Sequence, residues 1–403
     1  MPFPVYLDVS NTAVSNGHTG IQAVVRGLIA GLSSQGCGVH PVRWSFKRQC
    51  LTPLKSKWER NLGLPGGKSP WLPFSSLLDP RFWTVWRKAR GMNYKTPLHR
   101  HPAHREQFKE GWLILPELME GRHVRLIIDH AKNQGMRTAG IFHDAIPWHH
   151  PEMVLHWTRK QHAEYMMAFA DLDVVMAVSH QAARHFTEFS EQFGGPLPVV
   201  KVCGLAAEII GQERETKLKP PTDQVVKILC VSTLEPRKNH TRVIEAFELA
   251  SSRLAGRNME LHLVGAVYKS APEIAAFVRT VTARNPAIFW HEAVGAGELR
   301  AFYRDCDFTV FGSWIEGFGL PVVESLWFGK PCLCSDQGVM AENAAAGGCL
   351  TVETRDVHAL AAGIEKLAGQ PDFLRSLGEH ALQRKLKSWD DYAAEVLGIL
   401  KAN

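Results

Sequence analysis

The stretch GSWIEGFGLPVVESLWFGKP, Gly312–Pro331, places two glutamates in an apolar run that glycines and a proline interrupt. Glu316 and Glu324 are separated by seven residues, with Gly317, Gly319 and Pro321 close by. A buried carboxylate is costly unless it is hydrogen-bonded or paired. Two such acids beside one turn indicate a polar ligand or a charged partner.

The rest of the chain alternates short apolar runs with helical patterns, which predicts parallel sheets covered by helices. At 403 residues the chain is too long for one ordinary core. The polar segment 211–224 contains two adjacent prolines and is the best linker candidate. We therefore predict an α/β fold with two facing Rossmann-like domains, 1–210 and 225–385, and a cleft between them.

In open parallel sheets, ligands bind beyond the carboxyl ends of the strands. A predicted strand, 307–313, ends just before Glu316, and Pro321 suits the first position of a helix whose first turn would contain Glu324. Gly317 and Gly319 allow the backbone close to a ligand. The two carboxylates would suit a ribose diol and a sugar. If Glu324 only stabilised the helix N-terminus, one acid would be explained but not both.

Two further strand ends have polar residues. Arg237 and Lys238 precede a predicted helix in VSTLEPRKNHTR, 231–242, and two cations beside a helix N-terminus make a diphosphate site. His143 and Asp144 end the strand 137–144, where we expect the imidazole to donate to a substrate hydroxyl. Gly20 lies in a loop after the first strand, and this loop lacks the GxGxxG dinucleotide fingerprint.

We expect neither a metal nor a disulfide. His149, His150, His156 and His162 form a cluster in the sequence, but no carboxylate or cysteine stands at ligand spacing. The eight scattered cysteines are interpreted as reduced core thiols of a cytosolic protein. GLPGGKS, 63–69, has three residues between its flanking glycines where a P-loop has four.

The formal charge of +6 is concentrated in one segment. Between Pro41 and Phe108 fourteen Lys and Arg residues face three acids, and five of the twelve tryptophans lie there. This pattern favours an anionic, partly apolar partner, either a membrane surface with anionic lipid or a lipid-linked phosphorylated acceptor. We assign Arg87, Lys88 and Arg90 to this role. The alternative is a solvated insertion whose tryptophans pack on the domain, and no nucleic acid is expected.

Taken together, the motifs resemble those of family 4 retaining glycosyltransferases of the GT-B fold. EGFGLPVVE resembles the EX7E signature of that family, and LEPRKN, FHDAIP, the first-strand glycine loop and LVG, 263–265, follow in its order. The terminal stretch, 386–403, resembles the family's closing helix, which returns to the N-terminal domain. The resemblance covers the chain except for about 43–108.

This resemblance implies transfer of a sugar from a nucleotide diphosphate donor, with retention of configuration and without a metal or other cofactor. Glu316 would contact the donor sugar, Glu324 the ribose and Lys238, with Arg237, the diphosphate. His143, with Asp144 beside it, would touch the transferring sugar. Backbone N–H groups would cradle the donor at these positions: Gly20, Gly265, Phe318, Gly319 and Leu320.

Two positions depart from the family pattern, since Ser232 and Ala23 stand where basic residues are usual. Phosphate binding would then lean on Arg237, or on Arg26 across the cleft. The LEPRKN form favours mannose from GDP-mannose, with GDP-fucose, dTDP-rhamnose or a UDP-sugar as alternatives. A polysaccharide or lipid-linked glycan would be the acceptor, and the protein would be cytoplasmic or at the inner membrane face. Other candidates are a nucleotide-sugar epimerase and a non-catalytic sugar-nucleotide or membrane-binding module.

Overall fold

The protein is described here by a computed structural model that covers residues 3–15, 19–54, 56–62, 108–153, 156–219, 225–268 and 271–403. Two sheets organise the chain, each with its own hydrophobic core. Among the described helices, none combines the length and the hydropathy that crossing a bilayer requires.

The first sheet has seven strands in the order β3-β2-β1-β4-β5-β6-β7. All neighbours are parallel except β3, which forms an antiparallel edge on β2. Its strands are β1 Val5–Asp8, β2 Val39–Ser45, β3 Cys50–Pro53, β4 Trp112–Leu115, β5 Arg137–Phe142, β6 Val174–Ala177 and β7 Val199–Val202. Its helices are α1 Gly20–Ser34, α2 Ser56–Glu59, α3 Gly121–Asn133, α4 Ile146–His149, α5 His156–Phe169 and α6 His180–Gln192, with short 3-10 turns at Thr12–Val14, Arg60–Leu62 and Pro151–Met153.

The second sheet has six parallel strands in the order β10-β9-β8-β11-β12-β13. They are β8 Val226–Val231, β9 Met259–Val264, β10 Ile288–Trp290, β11 Phe308–Phe311, β12 Cys332–Ser335 and β13 Cys349–Val352. The helices are α7 His240–Arg253, α8 Pro272–Arg284, α9 Ala296–Asp305, α10 Leu320–Trp327, α11 Gly338–Ala344, α12 Val357–Gly369, α13 Pro371–Gln383 and α14 Trp389–Ala402, with a 3-10 turn at Pro236–Lys238.

The last helix, α14, packs on the first domain. Gly27 and Gly31 of α1 leave room for Trp389, because a methyl group added at Gly27 would lie 2.1 Å from the indole. Trp389 is buried, and its indole N–H donates to the Glu208 carbonyl at 2.9 Å. Ser388 and Asp391 form a capping box that starts the helix.

This architecture is the GT-B arrangement that the sequence predicts, including the returning helix. The sequence pattern missed β4, although this strand lies between β1 and β5 at the centre of its sheet. Its four residues, WLIL, follow closely on the atypical basic segment that interrupts the alternation. The antiparallel strand β3 and the edge strands β7 and β13 were missed as well. Of the predicted linker, residues 211–219 are described, and Arg214 donates to two carbonyls of the second domain, those of Ala381 and Leu382.

Candidate nucleotide-sugar site

A cluster of opposite charges lies at the carboxyl end of the second sheet. Glu316, in the loop between β11 and α10, accepts from Arg237 Nη1 at 2.7 Å and from Lys238 Nζ at 2.5 Å. Ser313 Oγ donates to the same carboxylate at 2.5 Å. The loops after β8 and β11 meet here because these two strands are neighbours in the sheet.

Glu316 is ionised in this cluster. Burial alone would raise its pKa, but Arg237 and Lys238 act more strongly together, and the pKa is lowered to about 2. Arg237 also pairs with Glu235 at 2.6 Å, and its own pKa is raised by the two carboxylates despite burial. Burial lowers the pKa of Lys238, although its pairing with Glu316 opposes that shift. The cluster therefore brings together two basic and two acidic side chains.

The Glu316 loop touches the first domain directly. A methyl group added at Gly317 would lie 2.1 Å from the His143 carbonyl oxygen and 2.9 Å from Cβ of Asp144, so only glycine allows this approach. Ser179 Oγ, before α6, donates to the Gly317 carbonyl at 2.8 Å. Asp144, Glu316 and Gly317 line one small cavity of about 10 Å³.

His143 follows the strand β5, as expected, but its imidazole is hydrogen-bonded to the backbone. Nε2 lies 2.8 Å from the Pro116 carbonyl oxygen, which can only accept, so this nitrogen carries the proton. Burial lowers the pKa of His143, and the ring is therefore neutral. The sequence led us to expect that His143 donates to a substrate hydroxyl; in the structure the Pro116 carbonyl accepts the Nε2 proton, and Nδ1 is left as an acceptor. Asp144 accepts from the Ile146 N–H at 2.9 Å.

Glu324 belongs to a different environment from Glu316. It is the fifth residue of α10, which begins at Leu320, so it lies in the second turn and not in the first as the sequence suggested. Tyr303 donates to its Oε2 at 2.8 Å. Burial raises the pKa of Glu324 to about 7, although the Tyr303 hydrogen bond opposes the shift. Glu316 is therefore ionised at neutral pH, whereas Glu324, after seven intervening residues, has a pKa of about 7.

Two helix N-termini face each other across the cleft. A methyl group added at Gly20, the first residue of α1, would lie 3.5 Å from Leu320, the first residue of α10. Gly319 has a φ of 80°, which suits glycine, and Asn343 donates to the Phe318 carbonyl at 2.5 Å. The positive ends of both helices thus point into one region that suits an anion.

The remaining predicted donor residue, Gly265, ends the strand next to β8. A methyl group there would lie 1.9 Å from the Ser232 carbonyl oxygen, so the two strand-end loops are in direct contact. Arg26 Nε donates to the Asn61 carbonyl at 2.8 Å, and phosphate binding through Arg26 stays a prediction.

Several polar residues of this region were not predicted. Ser313 and Glu235 contact the charge cluster directly, and both lie within stretches that the sequence did single out. Glu342 of α11 accepts from the backbone N–H groups of His180 and Gln181, which ties the two domains together. Nothing in the local sequence marks Glu342, because its partners are 161 and 162 residues away.

Other residues that the sequence singled out lie outside the charge cluster around Glu316. Arg87, Lys88 and Arg90 are outside the described residues, as is GLPGGKS, 63–69, so the acceptor or membrane role stays a prediction. Among the predicted histidine cluster, His162 donates to the Asp144 carbonyl at 2.9 Å and His150 meets Glu152 at 3.2 Å. Of the eight cysteines, seven are buried and all are free thiols.

The second domain is similar to known proteins. Residues 211–384 match the family model described as Glycosyl transferases group 1. Trehalose synthase of Rubrobacter xylanophilus is 32% identical over 157 residues, which cover 38% of this chain and 37% of that protein. The serotype-specific mannosyltransferase WbdA of Escherichia coli is 27% identical over 274 residues, covering 65% of this chain and 33% of WbdA. The matched regions thus span about a third of these relatives' length.

Solved structures share the whole fold. Sucrose-phosphate synthase from Thermosynechococcus elongatus has a TM-score of 0.64 at 16% identity, with 99% of this chain and 98% of that chain covered. HepE of Anabaena in complex with UDP-glucose has a TM-score of 0.65 at 13% identity, with 98% and 100% covered. The chain therefore has a GT-B fold, and residues 211–384 of it are similar to the glycosyl transferases group 1 family.

Proposed function

We propose that the protein is a glycosyltransferase that uses a nucleoside diphosphate sugar as its donor. The observation that carries the proposal is the cluster of Arg237, Lys238 and Glu316 at the carboxyl edge of the second sheet, beside the N-terminus of α10. The match of residues 211–384 to the glycosyl transferases group 1 model supports it. HepE, a structural neighbour, was solved in complex with UDP and glucose.

The two cations suit a diphosphate, and carboxylates hold them in place in the structure. Glu316 pairs with both side chains, and Glu235 pairs with Arg237. Among the described residues, Lys238 uses one of its three N–H donors, on Glu316, so two remain for phosphate oxygens. The backbone N–H groups at the start of α10 add hydrogen-bond donors for the phosphate oxygens.

The two glutamates take different parts of the donor in this proposal. Glu316, fixed as an anion, accepts hydrogen bonds from hydroxyls of the donor sugar. Glu324 accepts from the ribose diol, and binding there favours its ionised form. Nδ1 of His143, which lies on the other side of the Gly317 contact, accepts from a sugar hydroxyl, with the backbone at Gly20, Gly265, Phe318 and Leu320 completing the cradle.

We propose a retaining mechanism that needs no metal. The bond between the anomeric carbon and the leaving phosphate oxygen breaks while the acceptor oxygen bonds to the same face. The acceptor's proton passes to the leaving phosphate oxygen, so no protein nucleophile takes part. Arg237, Lys238 and the α10 N-terminus stabilise the charge that develops on the diphosphate, the task that Mg²⁺ performs in other phosphate sites.

Mannose from GDP-mannose is the donor we favour. Several relatives are named as mannosyltransferases, among them WbdA and the MMP α-(1→4)-mannosyltransferase of Mycolicibacterium hassiacum, which is 27% identical over 194 residues, 46% of this chain and 46% of that protein. A polysaccharide or lipid-linked glycan is the acceptor we favour, with the basic segment of about 43–108 meeting an anionic membrane at the cytoplasmic face.

A donor screen tests this proposal directly. Thermal unfolding is followed with GDP, UDP, ADP, dTDP and CMP in the presence of a chelator, and again with Mg²⁺. A nucleotide at about a hundredfold over its Kd adds roughly 2.7 kcal/mol to the free energy of unfolding. We expect GDP to stabilise the protein in chelator; stabilisation by UDP alone would change the donor, and no shift with any nucleotide would contradict the proposal.

Acceptor dependence separates the proposed transferase from an epimerase. The epimerase would convert the nucleotide sugar without an acceptor, whereas a transferase releases the nucleoside diphosphate only as the glycan grows. A non-catalytic binding module would bind the nucleotide and turn over nothing. Release of GDP from GDP-mannose that rises with added mannan or lipid-linked glycan is the result we expect.

A further inference from the structure

Three metal-ligating side chains meet on the first domain, at the rim of the cleft. The ligand atoms of His149, His185 and Glu188 lie within 4.8 Å of one another, and the two imidazole centroids are 4.0 Å apart. His185 and Glu188 are three residues apart on α6 and so share one face of that helix. His149 is the last residue of α4. The cluster thus joins two helices that the sequence separates.

The two helices are held in this relation by aromatic packing. Trp148, next to His149, packs edge-on against Phe189 and Phe193 of the α6 region, with centroids 5.2 and 5.4 Å apart. Arg159 stacks over the other side of Trp148, 4.6 Å from its ring. The position of His149 relative to His185 is therefore fixed by side chains that take no part in the cluster.

The three ligand groups are available. Within the part of the chain that the structure describes, neither imidazole makes a hydrogen bond to the protein, so their nitrogen lone pairs are free to coordinate. Glu188 pairs with Arg184 at 3.8 Å, and both side chains are more than half exposed. Such an exposed ion pair is weak, so a metal ion would displace Arg184 easily.

We propose that His149, His185 and Glu188 bind a divalent late transition-metal ion of the Zn²⁺ type. Two imidazoles and one carboxylate form a donor set that Zn²⁺ uses, whereas Mg²⁺ and Ca²⁺ take oxygen ligands. Tetrahedral coordination with bonds of about 2.0–2.1 Å puts ligand atoms roughly 3.3 Å apart. Side-chain rotations bring the ligand atoms from within 4.8 Å of one another to this shorter separation, and water completes the coordination.

The site is separate from the proposed diphosphate cations, but it is linked to the cleft. His185 lines the same small cavity as Asp144 and Glu316. The N-terminus of its helix, α6, is bound by Glu342 of the second domain. A metal ion at this position stiffens the wall of the cleft without touching Arg237 or Lys238. Metal binding at this site and metal-free donor binding are therefore compatible.

Metal titration of the full chain tests the proposal. After treatment with a chelator and its removal, the protein is titrated with Zn²⁺ by calorimetry and with Co²⁺ by visible absorption. We expect one equivalent to bind, with the intense visible bands of a tetrahedral Co²⁺ site and a higher melting temperature. Even outer-shell changes cost 10–100-fold in metal affinity, so His185→Gln and His149→Gln should each weaken binding at least that much.

His180→Gln is the matched control, because His180 is an exposed histidine on the same helix outside the cluster. This variant should bind Zn²⁺ as the original protein does. All three variants should melt at unchanged temperatures without metal, which excludes a folding defect. The proposal is overturned if the original protein binds no stoichiometric Zn²⁺, or if His185→Gln and His149→Gln bind it with unchanged affinity. Neither outcome depends on nucleotide binding, so the donor proposal is tested separately.

Discussion

The Glu316→Gln variant isolates the charge that holds the proposed nucleotide-sugar site together. The side chain keeps its shape and its hydrogen bond from Ser313, but two buried cations lose their shared carboxylate. A pKa lowered from 4.5 to about 2 corresponds to about 3 kcal/mol of folding free energy at neutral pH.

The sign of the pH dependence follows from the direction of the shift. Because the pKa of folded Glu316 is lowered, its stabilisation is fully present above pH 4.5 and is lost as the pH falls through about 2. The difference between the original protein and Glu316→Gln should therefore fall from about 3 kcal/mol at pH 7 to roughly half that or less at pH 3.

Urea or thermal unfolding measures this difference. For a domain of this size, about 3 kcal/mol shifts the melting temperature by roughly 6–12 °C. Glu298→Gln, an exposed glutamate on α9, is the control and should stay within about 0.5 kcal/mol. A loss below 1 kcal/mol for Glu316→Gln at pH 7 would refute the electrostatic account of this cluster.

Three further changes test other parts of the structure. Binding of a nucleotide sugar should tighten about tenfold between pH 6 and 8, because burial holds the pKa of Glu324 near 7 and the ribose needs its ionised form; Glu324→Gln should abolish this pH dependence. The same raised pKa means that Glu324 stabilises the fold most below pH 4.5 and loses this contribution as the pH rises through about 7, so Glu324→Gln should be the more stable protein at pH 8. Gly317→Ala should weaken donor binding by forcing the loop from His143, whereas Gly295→Ala, with open space around it, should not. Trp389→Ala should cost about 3–5 kcal/mol by undocking α14, while Gly398→Ala on the exposed face of α14 should stabilise the protein by about 0.5–1 kcal/mol.

The sequence predicts the fold well because its signal is repeated many times. Alternation of apolar runs and helical patterns locates most strands and helices to within a few residues, since each element repeats the same physical pattern. β3, β4, β7 and β13 escape this pattern. The antiparallel pairing of β3 is set by its position at a sheet edge, and its local sequence does not encode this.

The site was predictable only in part. Strand ends followed by polar residues and glycines point to Glu316, Arg237, Lys238 and His143, because parallel strands bring their carboxyl ends to one edge. The sequence does not show which of these groups already satisfy each other. The Pro116 carbonyl on His143, the Tyr303 hydroxyl on Glu324 and the Glu342 tie between the domains are all contacts between distant segments. Such contacts decide which groups already have partners, so sequence alone gives the candidate groups without their chemistry.

Calorimetric titration of a nucleoside diphosphate in the presence of chelator tests the central claim most directly. The account predicts that the original protein binds without metal and that Lys238→Met loses about 10–100-fold, the equivalent of one charged hydrogen bond. It also predicts that Glu316→Gln binds the diphosphate at least as tightly as the original protein, because a competing carboxylate has been removed, while transfer of the sugar is lost. Unchanged affinity in Lys238→Met would contradict the assignment of this cluster as the donor site.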